Sequence, residues 1–222
     1  MKPTPLTAAC DNVYEPFEDS FFLLDCLELE EPVLRGFKAP LVAEIGCGSG
    51  VVSAFLPSLI DLYIPMASDV NPAACTTTLS TWEKNSNTYN PKLPEIEVVR
   101  GSLLGFLRPN LVDVLVFNPP YVSTSDVPKL EDYDQEDMRW VDFALDGGEM
   151  GMEITNIVLE NLSRYLSPHG VAYILLCANN NPKQVVENVE ARGYFAHKIS
   201  ERRAGREILS VYRFSRNELD QH

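Results

Sequence analysis

Leu41–Gly50 reads LVAEIGCGSG and sets the architecture predicted for this chain. The first half is a short apolar run, which is typical of a buried strand. The second half places glycines at 46, 48 and 50, and Val51–Leu59 then has helical spacing. A strand that passes through a glycine-rich turn into a helix is the opening unit of a doubly wound sheet, and its turn lets a ligand approach the backbone.

The remaining sequence alternates short β-rich runs with helical periods, which predicts a parallel sheet covered by helices. The predicted strands are Leu41–Ile45, Leu62–Ser68, Glu95–Arg100, Val112–Phe117, Val171–Cys177, Phe195–Ile199 and Ile208–Phe214. The predicted helices are an opening helix from Pro16, Val51–Leu59, Ala73–Lys84, Met152–Leu166 and Pro182–Arg192, the third ended by NSNTYN and the fourth by SPHG. The segment ERRAG between the last two strands is too short for a crossover, so these strands should pair antiparallel. The fold class is therefore α/β: one Rossmann-like domain over residues 1–222, with a seven-stranded, mostly parallel sheet, an antiparallel last strand and helices on both faces.

The amino-acid composition limits the classes of ligand and partner that this chain is expected to bind. Eighteen Lys and Arg against 32 Asp and Glu give a net charge of −14, which repels phosphate backbones and weighs against a nucleic-acid ligand, although simple solubility explains it equally well. The chain has five Cys but no Cys-x-x-Cys, so we predict neither a disulfide framework nor a metal site. Neither a signal peptide nor a membrane span is predicted, and we expect a soluble cytoplasmic protein, with a nuclear pool left open.

The glycine turn does not match the two commonest nucleotide motifs. Gly50 follows Gly48 after only one residue, which disfavours a dinucleotide fingerprint, and the chain has no Gly-x-x-x-x-Gly-Lys loop for a triphosphate. Asp69, in SDVNP at the end of the second strand, is placed to accept hydrogen bonds from both ribose hydroxyls of an adenosine ligand. The alternative is that Asp69 caps the following helix.

The tetrapeptide NPPY, Asn118-Pro119-Pro120-Tyr121, follows the apolar run of the central strand. Ligands of open α/β sheets bind just outside such strand ends, although a proline-rich turn is the plain structural alternative. The groups of this tetrapeptide suit a ligand with a planar NH₂ group, such as a carboxamide. The nitrogen of such a group is a poor nucleophile, because its lone pair is delocalised into the carbonyl, so it has to be held in position. The Asn118 side-chain oxygen and the Pro119 carbonyl could hold the two N–H bonds of such a group, and Tyr121 offers a flat face for stacking.

The segments EIGCGSG, SDVNP and FNPPY together resemble the class I S-adenosylmethionine-dependent methyltransferases, and FNPPY resembles the branch that methylates planar nitrogens. VYEPFEDSFFLLD at the start, GSGVVSAFL, and AGREILSVYRF at the end extend the similarity over nearly the whole chain. They are similar to the eukaryotic glutamine N5-methyltransferases that modify the class I translation termination factor, relatives of the bacterial release-factor methyltransferase. The resemblance implies methyl transfer from S-adenosyl-L-methionine to the glutamine of a Gly-Gly-Gln motif.

The resemblance also implies site residues. Catalytic and substrate-binding roles fall on Asn118, Pro119 and Tyr121. Cofactor-binding roles fall on Ser20, Glu44, Gly46, Gly48, Asp69, Ser102, Leu103 and Asn118. Close relatives carry an Asp at the position of Ser102, which weakens the expected adenine contact, and a helix N-cap is the alternative for this serine. A second hypothesis is a nucleic-acid methyltransferase that acts on adenine N6 or guanine N2. A third is a scaffold that binds the cofactor without catalysis. Methylation of protein lysines is a further activity that the chain could have beside its main one.

Two further features concern partners. Residues of about 14–31 form a predicted helical cap, and about 122–150 form an acidic segment that is either a solvated loop or a grip on a basic protein substrate. The strand at 95–100 should be an outer edge with unpaired backbone groups, which proteins normally cover. The resemblance implies a cover: a small zinc-binding activator subunit that forms a heterodimer, for which Trp82 and Tyr89 are candidate anchors, although core packing suits Trp82 better.

Overall fold

The computed structural model describes residues 2–89, 94–129 and 138–219. The strands are β1 Leu41–Ile45, β2 Ile64–Asp69, β3 Glu97–Arg100, β4 Val112–Phe117, β5 Leu166–Cys177, β6 Phe195–Ala204 and β7 Glu207–Ser215. The helices are α1 Glu18–Leu29, α2 Glu31–Arg35, α3 Val51–Phe55, α4 Pro72–Tyr89, α5 Asp142–Leu145, α6 Glu153–Glu160, α7 Leu162–Tyr165 and α8 Pro182–Glu190. None of these described helices is both long and apolar enough to cross a bilayer.

The strands form one sheet in the order β3-β2-β1-β4-β5-β7-β6. Strands β1 to β5 pair in parallel, and β7 runs antiparallel to both of its neighbours. The predicted seven-stranded α/β fold is therefore confirmed. The chain winds outward from β1 in one direction and from β4 in the other, so the carboxyl ends of these two strands mark the switch point at which such sheets bind ligands.

The sheet separates two hydrophobic cores. Along β4, Val114 and Val116 face the core that contains α1 and α3, whereas Leu115 and Phe117 face the core that contains α6 and α8. This alternation follows from the two-residue period of a strand, and it explains why the β4 sequence is almost wholly apolar.

Helix α4 is longer than the sequence indicated. The run NSNTYN was expected to end the helix near Lys84, but the helix continues to Tyr89. Asn85 is buried, and its side-chain amide donates to the carbonyls of Leu6 and Thr81 and accepts from the Leu6 amide. The N-terminal segment thus satisfies a polar side chain that would otherwise favour a turn.

The region around SPHG also differs. The helix predicted over Met152–Leu166 is divided at Asn161, and β5 begins at Leu166 instead of Val171. Ser167 donates a hydrogen bond of 2.6 Å to Asp113 Oδ1. A shift of register between β4 and β5 lets this polar stretch join the sheet.

The last two strands pair antiparallel as predicted, but they are longer. Most of ERRAG lies within β6, and β7 starts at Glu207, so the turn consists of Gly205 and Arg206. This tight turn brings Glu207 close to the start of α1, where it becomes part of the site described below.

Candidate active site

A cavity of about 420 Å³ lies at the carboxyl ends of β1, β2 and β4. Its lining includes every residue predicted to bind a cofactor: Ser20, Glu44, Gly46, Gly48, Asp69, Ser102, Leu103 and Asn118. These residues lie on five separate segments of the chain. The parallel register, which pairs Ile45 with Phe117 and Ile45 with Ser68, brings the three central turns together.

The glycines of the turn leave part of the cavity wall without side chains. Gly46, Gly48 and Gly50 all have positive φ, a conformation that favours glycine. A Cβ at Gly48 would meet no atom within 4 Å, so the backbone there faces open space. A Cβ at Gly50 would instead lie 2.7 Å from Thr78 Cα, so Gly50 is needed for the packing of α3 on α4.

Asp69 is oriented by the backbone. Its Oδ2 accepts from the Gly48 amide at 3.0 Å, and its Oδ1 accepts from the Asn71 amide at 2.9 Å. The start of α4 is capped by Asn71, whose Oδ1 accepts from the Ala73 amide at 2.9 Å. Burial raises the pKa of Asp69, while the backbone donors oppose this shift. Asp69 is therefore a half-buried carboxylate on the cavity wall, and the residue that caps helix α4 is Asn71.

Glu44 is buried at the end of β1, with 5% of its surface exposed. Its Oε2 accepts hydrogen bonds from the amide and the hydroxyl of Ser53. Burial raises the pKa of Glu44 to about 8, although the Ser53 bonds lower it, and the Asp69 charge adds to the rise. The carboxyl group lines the cavity and carries a proton more readily than an exposed Glu does.

Ser102 and Leu103 follow β3 and line the cavity. Leu103 has a φ of 54°, so the backbone bends sharply there. The segment from 101 to 107 forms turns and no helix begins in it, which removes the helix-cap alternative for Ser102. Ser20 lies on α1 and donates to Asp19 Oδ1 at 3.4 Å.

Asn118 is held in a defined orientation. Its Nδ2 donates to Asp19 Oδ2 at 2.9 Å, so the nitrogen end of the amide faces Asp19 and the oxygen end does not. Its Oδ1 is buried and has no hydrogen-bond partner within the described residues. An unpaired buried carbonyl oxygen is costly, so this atom is a free acceptor at the switch point of the sheet.

The rest of the tetrapeptide divides between two cavities. Pro120 lines the first cavity, whereas Pro119 is buried and lines neither of the two cavities described here. Tyr121 lines a second cavity of about 270 Å³, which is bounded by the start of α1 and by the turn between β6 and β7. Tyr14 and Asp19 line both cavities, so the two spaces adjoin at these side chains.

Tyr121 is fixed at both ends. Its hydroxyl donates to Glu207 Oε2 at 3.1 Å, and its carbonyl accepts from Asn180 Nδ2 at 3.1 Å. Burial and the charges of Asp19 and Glu207 raise the pKa of Tyr121, so its hydroxyl remains a proton donor. Gly151, with a φ of 68°, packs against the same carbonyl so closely that a Cβ there would overlap it.

Part of the acidic segment covers the first cavity. Two of its stretches contribute to the lining: Val127, Pro128 and Lys129, and then Trp140, Phe143 and Ala144. Glu131, Asp132, Asp134, Glu136 and Asp137 lie outside the described residues. The segment is thus more than a solvated loop in its described parts, because Trp140 is buried and its ring lies at a tilt beside that of Phe143, with ring centroids 5.3 Å apart.

Sequence reasoning missed Asp19, Asn180 and Glu207. Asp19 lies in the first turn of α1, where an acidic residue interacts favourably with the helix dipole, and its position in the sequence suggests no further role. One signal was available, because Asp19 shares a helix face with Leu23 and Cys26, and an acidic residue on a buried face calls for a partner. Asn180 and Glu207 carry no such signal, since both act across long sequence separations.

The chain is similar to known methyltransferases. The model of the methyltransferase small domain matches residues 19–130. Methyltransferase HEMK2 of Mus musculus is 39% identical over 97% of both chains. The eRF1 methyltransferase catalytic subunit mtq2 of Schizosaccharomyces pombe is 37% identical over 97% of this chain and 96% of its own. Among solved structures, the E. cuniculi Mtq2-Trm112 complex, described as methylating the eRF1 translation termination factor, matches with a TM-score of 0.67 and 25% identity over 93% of this chain and 99% of that chain.

Proposed function

This chain belongs to the methyltransferase small domain family, within the group that includes HEMK2 and the eRF1 methyltransferase catalytic subunit, and we propose that it methylates N5 of the glutamine in the Gly-Gly-Gln motif of the termination factor eRF1. The methyl donor is S-adenosyl-L-methionine. The fold and the overall similarity support this assignment over nearly the full length of the chain.

The first cavity fits such a donor. Gly48 leaves room for a ligand against the backbone, and the Asp69 carboxylate is oriented beside it. Among the described residues, Asn118 Oδ1 is a buried acceptor without a partner on a residue that lines this cavity, as expected where a polar ligand binds. In this proposal Asp69 holds the ribose, Ser102 and Leu103 contact the adenine, and Ser20, Glu44 and Gly46 border the remainder. The bound cofactor supplies an electrophilic methyl group on a sulfonium sulfur.

The protein contributes positioning. Asn118 Oδ1 accepts one N–H of the substrate carboxamide, and the Pro119 carbonyl is proposed to accept the other, so that the nitrogen lone pair faces the donor. Proline at 119 and 120 provides no competing amide proton. The Tyr121 ring offers a flat surface for the carboxamide. A reactant held in this orientation gains much of its rate from proximity and from the exclusion of water.

The observation that carries the proposal is the unpaired Oδ1 of Asn118, a residue that lines the first cavity and whose amide is oriented by Asp19. The test is incubation of the protein and its activator with labelled cofactor and eRF1, followed by mass spectrometry to locate the methyl group. The Asn118→Ala variant should bind the cofactor normally and transfer the methyl group about a hundredfold more slowly, as when one preorganised polar contact is lost. Unchanged turnover, or a methyl group on another residue of eRF1, would contradict the assignment.

No observation favours methylation of adenine N6 or guanine N2. A net charge of −14 opposes binding to a phosphate backbone. Lysine methylation as a side activity stays a prediction, and a charged amine would have to lose a proton before it could use this polar site.

We infer that the chain works as a heterodimer with a small zinc-binding activator. The similar solved structure is likewise a complex of two proteins, Mtq2 and Trm112. The activator is proposed to dock along the strand predicted at 95–100. The structure has β3 at the edge of the sheet, and Leu62, Ile64 and Leu79, on or beside neighbouring elements, are exposed. Trp82 is buried in the core and is no anchor, while the side chain of Tyr89 lies outside the described residues.

We further propose that residues 1–222 act as one domain in the cytoplasm, where translation termination takes place. The segment at about 14–31 would then close the cofactor cavity, since Tyr14, Asp19 and Ser20 line it. The acidic segment at about 122–150 would contact the protein substrate from the other side.

A further inference from the structure

The segment before α1 runs along α4 and reaches the first cavity. Residues 2–14, called the strap below, all lie in the described part of the chain and form no helix or strand. The amide of Ala8 donates to Thr81 Oγ1 at 2.9 Å, and the carbonyl of Asn12 accepts from Asn71 Nδ2 at 2.7 Å. Thr81 and Asn71 are buried, so the main chain of the strap satisfies polar groups along one side of α4. The last two residues of the strap line the first cavity.

Asn71 fixes the strap beside the carboxylate of Asp69. The Asn71 amide donates to Asp69 Oδ1 at 2.9 Å, and its side-chain nitrogen holds the Asn12 carbonyl. Its Oδ1 accepts from the Ala73 amide and caps α4. One buried side chain thus joins the carboxylate, the start of α4 and a point of the strap two residues before Tyr14, and the position of Tyr14 is set relative to Asp69.

Tyr14 holds the carboxylate that orients Asn118. Its hydroxyl donates to Asp19 Oδ1 at 3.2 Å, while Asp19 Oδ2 accepts from Asn118 Nδ2 at 2.9 Å. Burial raises the pKa of Tyr14, and the charge of Asp19 adds to the rise, so the hydroxyl keeps its proton and acts as a donor. Since both of its oxygens are engaged, the Asp19 carboxylate is held against rotation away from Asn118.

We propose that Tyr14 is a positioning residue for methyl transfer, which acts through Asp19 on the Asn118 amide. In this proposal Asn71 keeps Tyr14 in place through the strap. The inference rests on the proposed function. It extends that function because a continuous series of bonded groups connects Asp69, on the cofactor side of the cavity, with the amide that orients the acceptor. Polar groups fixed before the reaction need no rearrangement during it, and this is the contribution that the strap makes.

Tyr14→Phe tests the role of the hydroxyl, because the ring stays and only the bond to Asp19 is lost. The matched control is Tyr194→Phe, which also removes a buried tyrosine hydroxyl with one partner, Arg216 Nε at 3.4 Å, and Tyr194 lines neither cavity. With the activator-bound enzyme and eRF1, Tyr14→Phe should lower the single-turnover rate at saturating cofactor about fivefold or more, as loss of a bond to a charged group does.

The calorimetric Kd for the cofactor should stay within about twofold in Tyr14→Phe, because the lost bond orients the acceptor side of the site. Tyr194→Phe should transfer the methyl group at the wild-type rate. The positioning role is overturned if Tyr14→Phe transfers as fast as wild type, or if Tyr194→Phe is slowed to the same extent.

A double-mutant cycle with Asp19→Ala shows whether Tyr14 acts through Asp19. If it does, Tyr14→Phe should slow the Asp19→Ala enzyme by less than about twofold, because the carboxylate that it holds is already gone. A residue that only stabilises the fold would lower the rate by the same factor in both backgrounds. Equal factors would therefore overturn the proposed route through Asp19.

The strap is tested by Asn71→Ser. Serine is also a good helix cap, so this variant keeps the start of α4 but loses the donor to the Asn12 carbonyl. Its control is Lys84→Ala, which removes a bond between α4 and the strap at the Thr7 carbonyl, away from the cavities. Asn71→Ser should lower the saturated rate about threefold or more, and adding Tyr14→Phe should change it little further. A rate equal to that of Lys84→Ala would overturn the role of the strap.

The two proposals can fail separately. If wild-type enzyme methylates glutamine but Tyr14→Phe and Tyr194→Phe behave alike, only the positioning role is wrong. If mass spectrometry finds no methylglutamine in eRF1 with wild-type enzyme, the proposed function is wrong and the positioning role falls with it.

Discussion

The Asp19→Ala variant tests whether methyl transfer requires the orientation of the Asn118 amide and not only its presence. In the structure Asn118 Nδ2 donates to Asp19 Oδ2 at 2.9 Å, a hydrogen bond to a carboxylate that is only 5% exposed. Such a bond contributes about 1.5–3 kcal/mol, and each ~1.4 kcal/mol changes a rate tenfold. If the whole bond orients the amide for transfer, kcat should fall by roughly 10- to 150-fold.

The assay is single-turnover methyl transfer to eRF1 at saturating labelled cofactor, with the melting temperature and the cofactor Kd measured in parallel. Asp19→Asn keeps an oxygen acceptor but loses the charge, and charge-assisted bonds are about twice as strong as neutral ones, so this variant should fall between wild type and Asp19→Ala. The change should appear in kcat more than in the cofactor Kd, because the bond orients the group that receives the substrate.

Asp25→Ala is the control on the same helix. Its carboxylate pairs with Arg202 at 2.7 Å and lines neither cavity, so kcat should stay within about twofold, as expected for a partly exposed ion pair. The reasoning is refuted if Asp19→Ala keeps kcat within about threefold of wild type, or if Asp25→Ala slows transfer equally.

Three further outcomes are expected. Asp69→Ala should weaken calorimetric binding of the cofactor by about tenfold or more and spare kcat at saturation, and an unchanged Kd contradicts the ribose role. Burial raises the pKa of Glu44 from 4.5 to about 8, so the stability it contributes is full below about 4.5 and is lost as the pH rises through about 8. Melting temperatures of Glu44→Gln, which cannot titrate, should therefore fall less than those of wild type over this range, and parallel curves contradict the shift. Gly151→Ala forces a methyl group against the Tyr121 carbonyl and should lower both the melting temperature and kcat. The control is Gly193→Ala, which has a similar positive φ but lies in open space and should leave kcat unchanged. Equal losses of kcat in the two variants would contradict the argument.

Much of the fold could be predicted because its signals are local. The apolar run of β4, the glycine turn after β1 and the helical spacing of α8 each depend on residues within a dozen positions of one another. The predicted end of α4 was wrong because the buried amide of Asn85 finds partners in the distant segment around Leu6. Helix propensity cannot report a contact made across the chain.

The residues of the site also fall into two groups, those that local sequence predicts and those that depend on contacts between distant parts of the chain. Residues at strand ends, such as Asp69 and Asn118, were predictable because parallel strands bring their carboxyl ends to one edge. What the sequence alone determined was therefore the order of elements and the chemical groups available at the switch point. Only the tertiary structure decided how those groups are used, since Asp19 orients Asn118 across 99 positions and Glu207 holds Tyr121 across 86. The physical reason is that a hydrogen bond acts over about 3 Å in space, and sequence spacing does not encode which distant elements come that close.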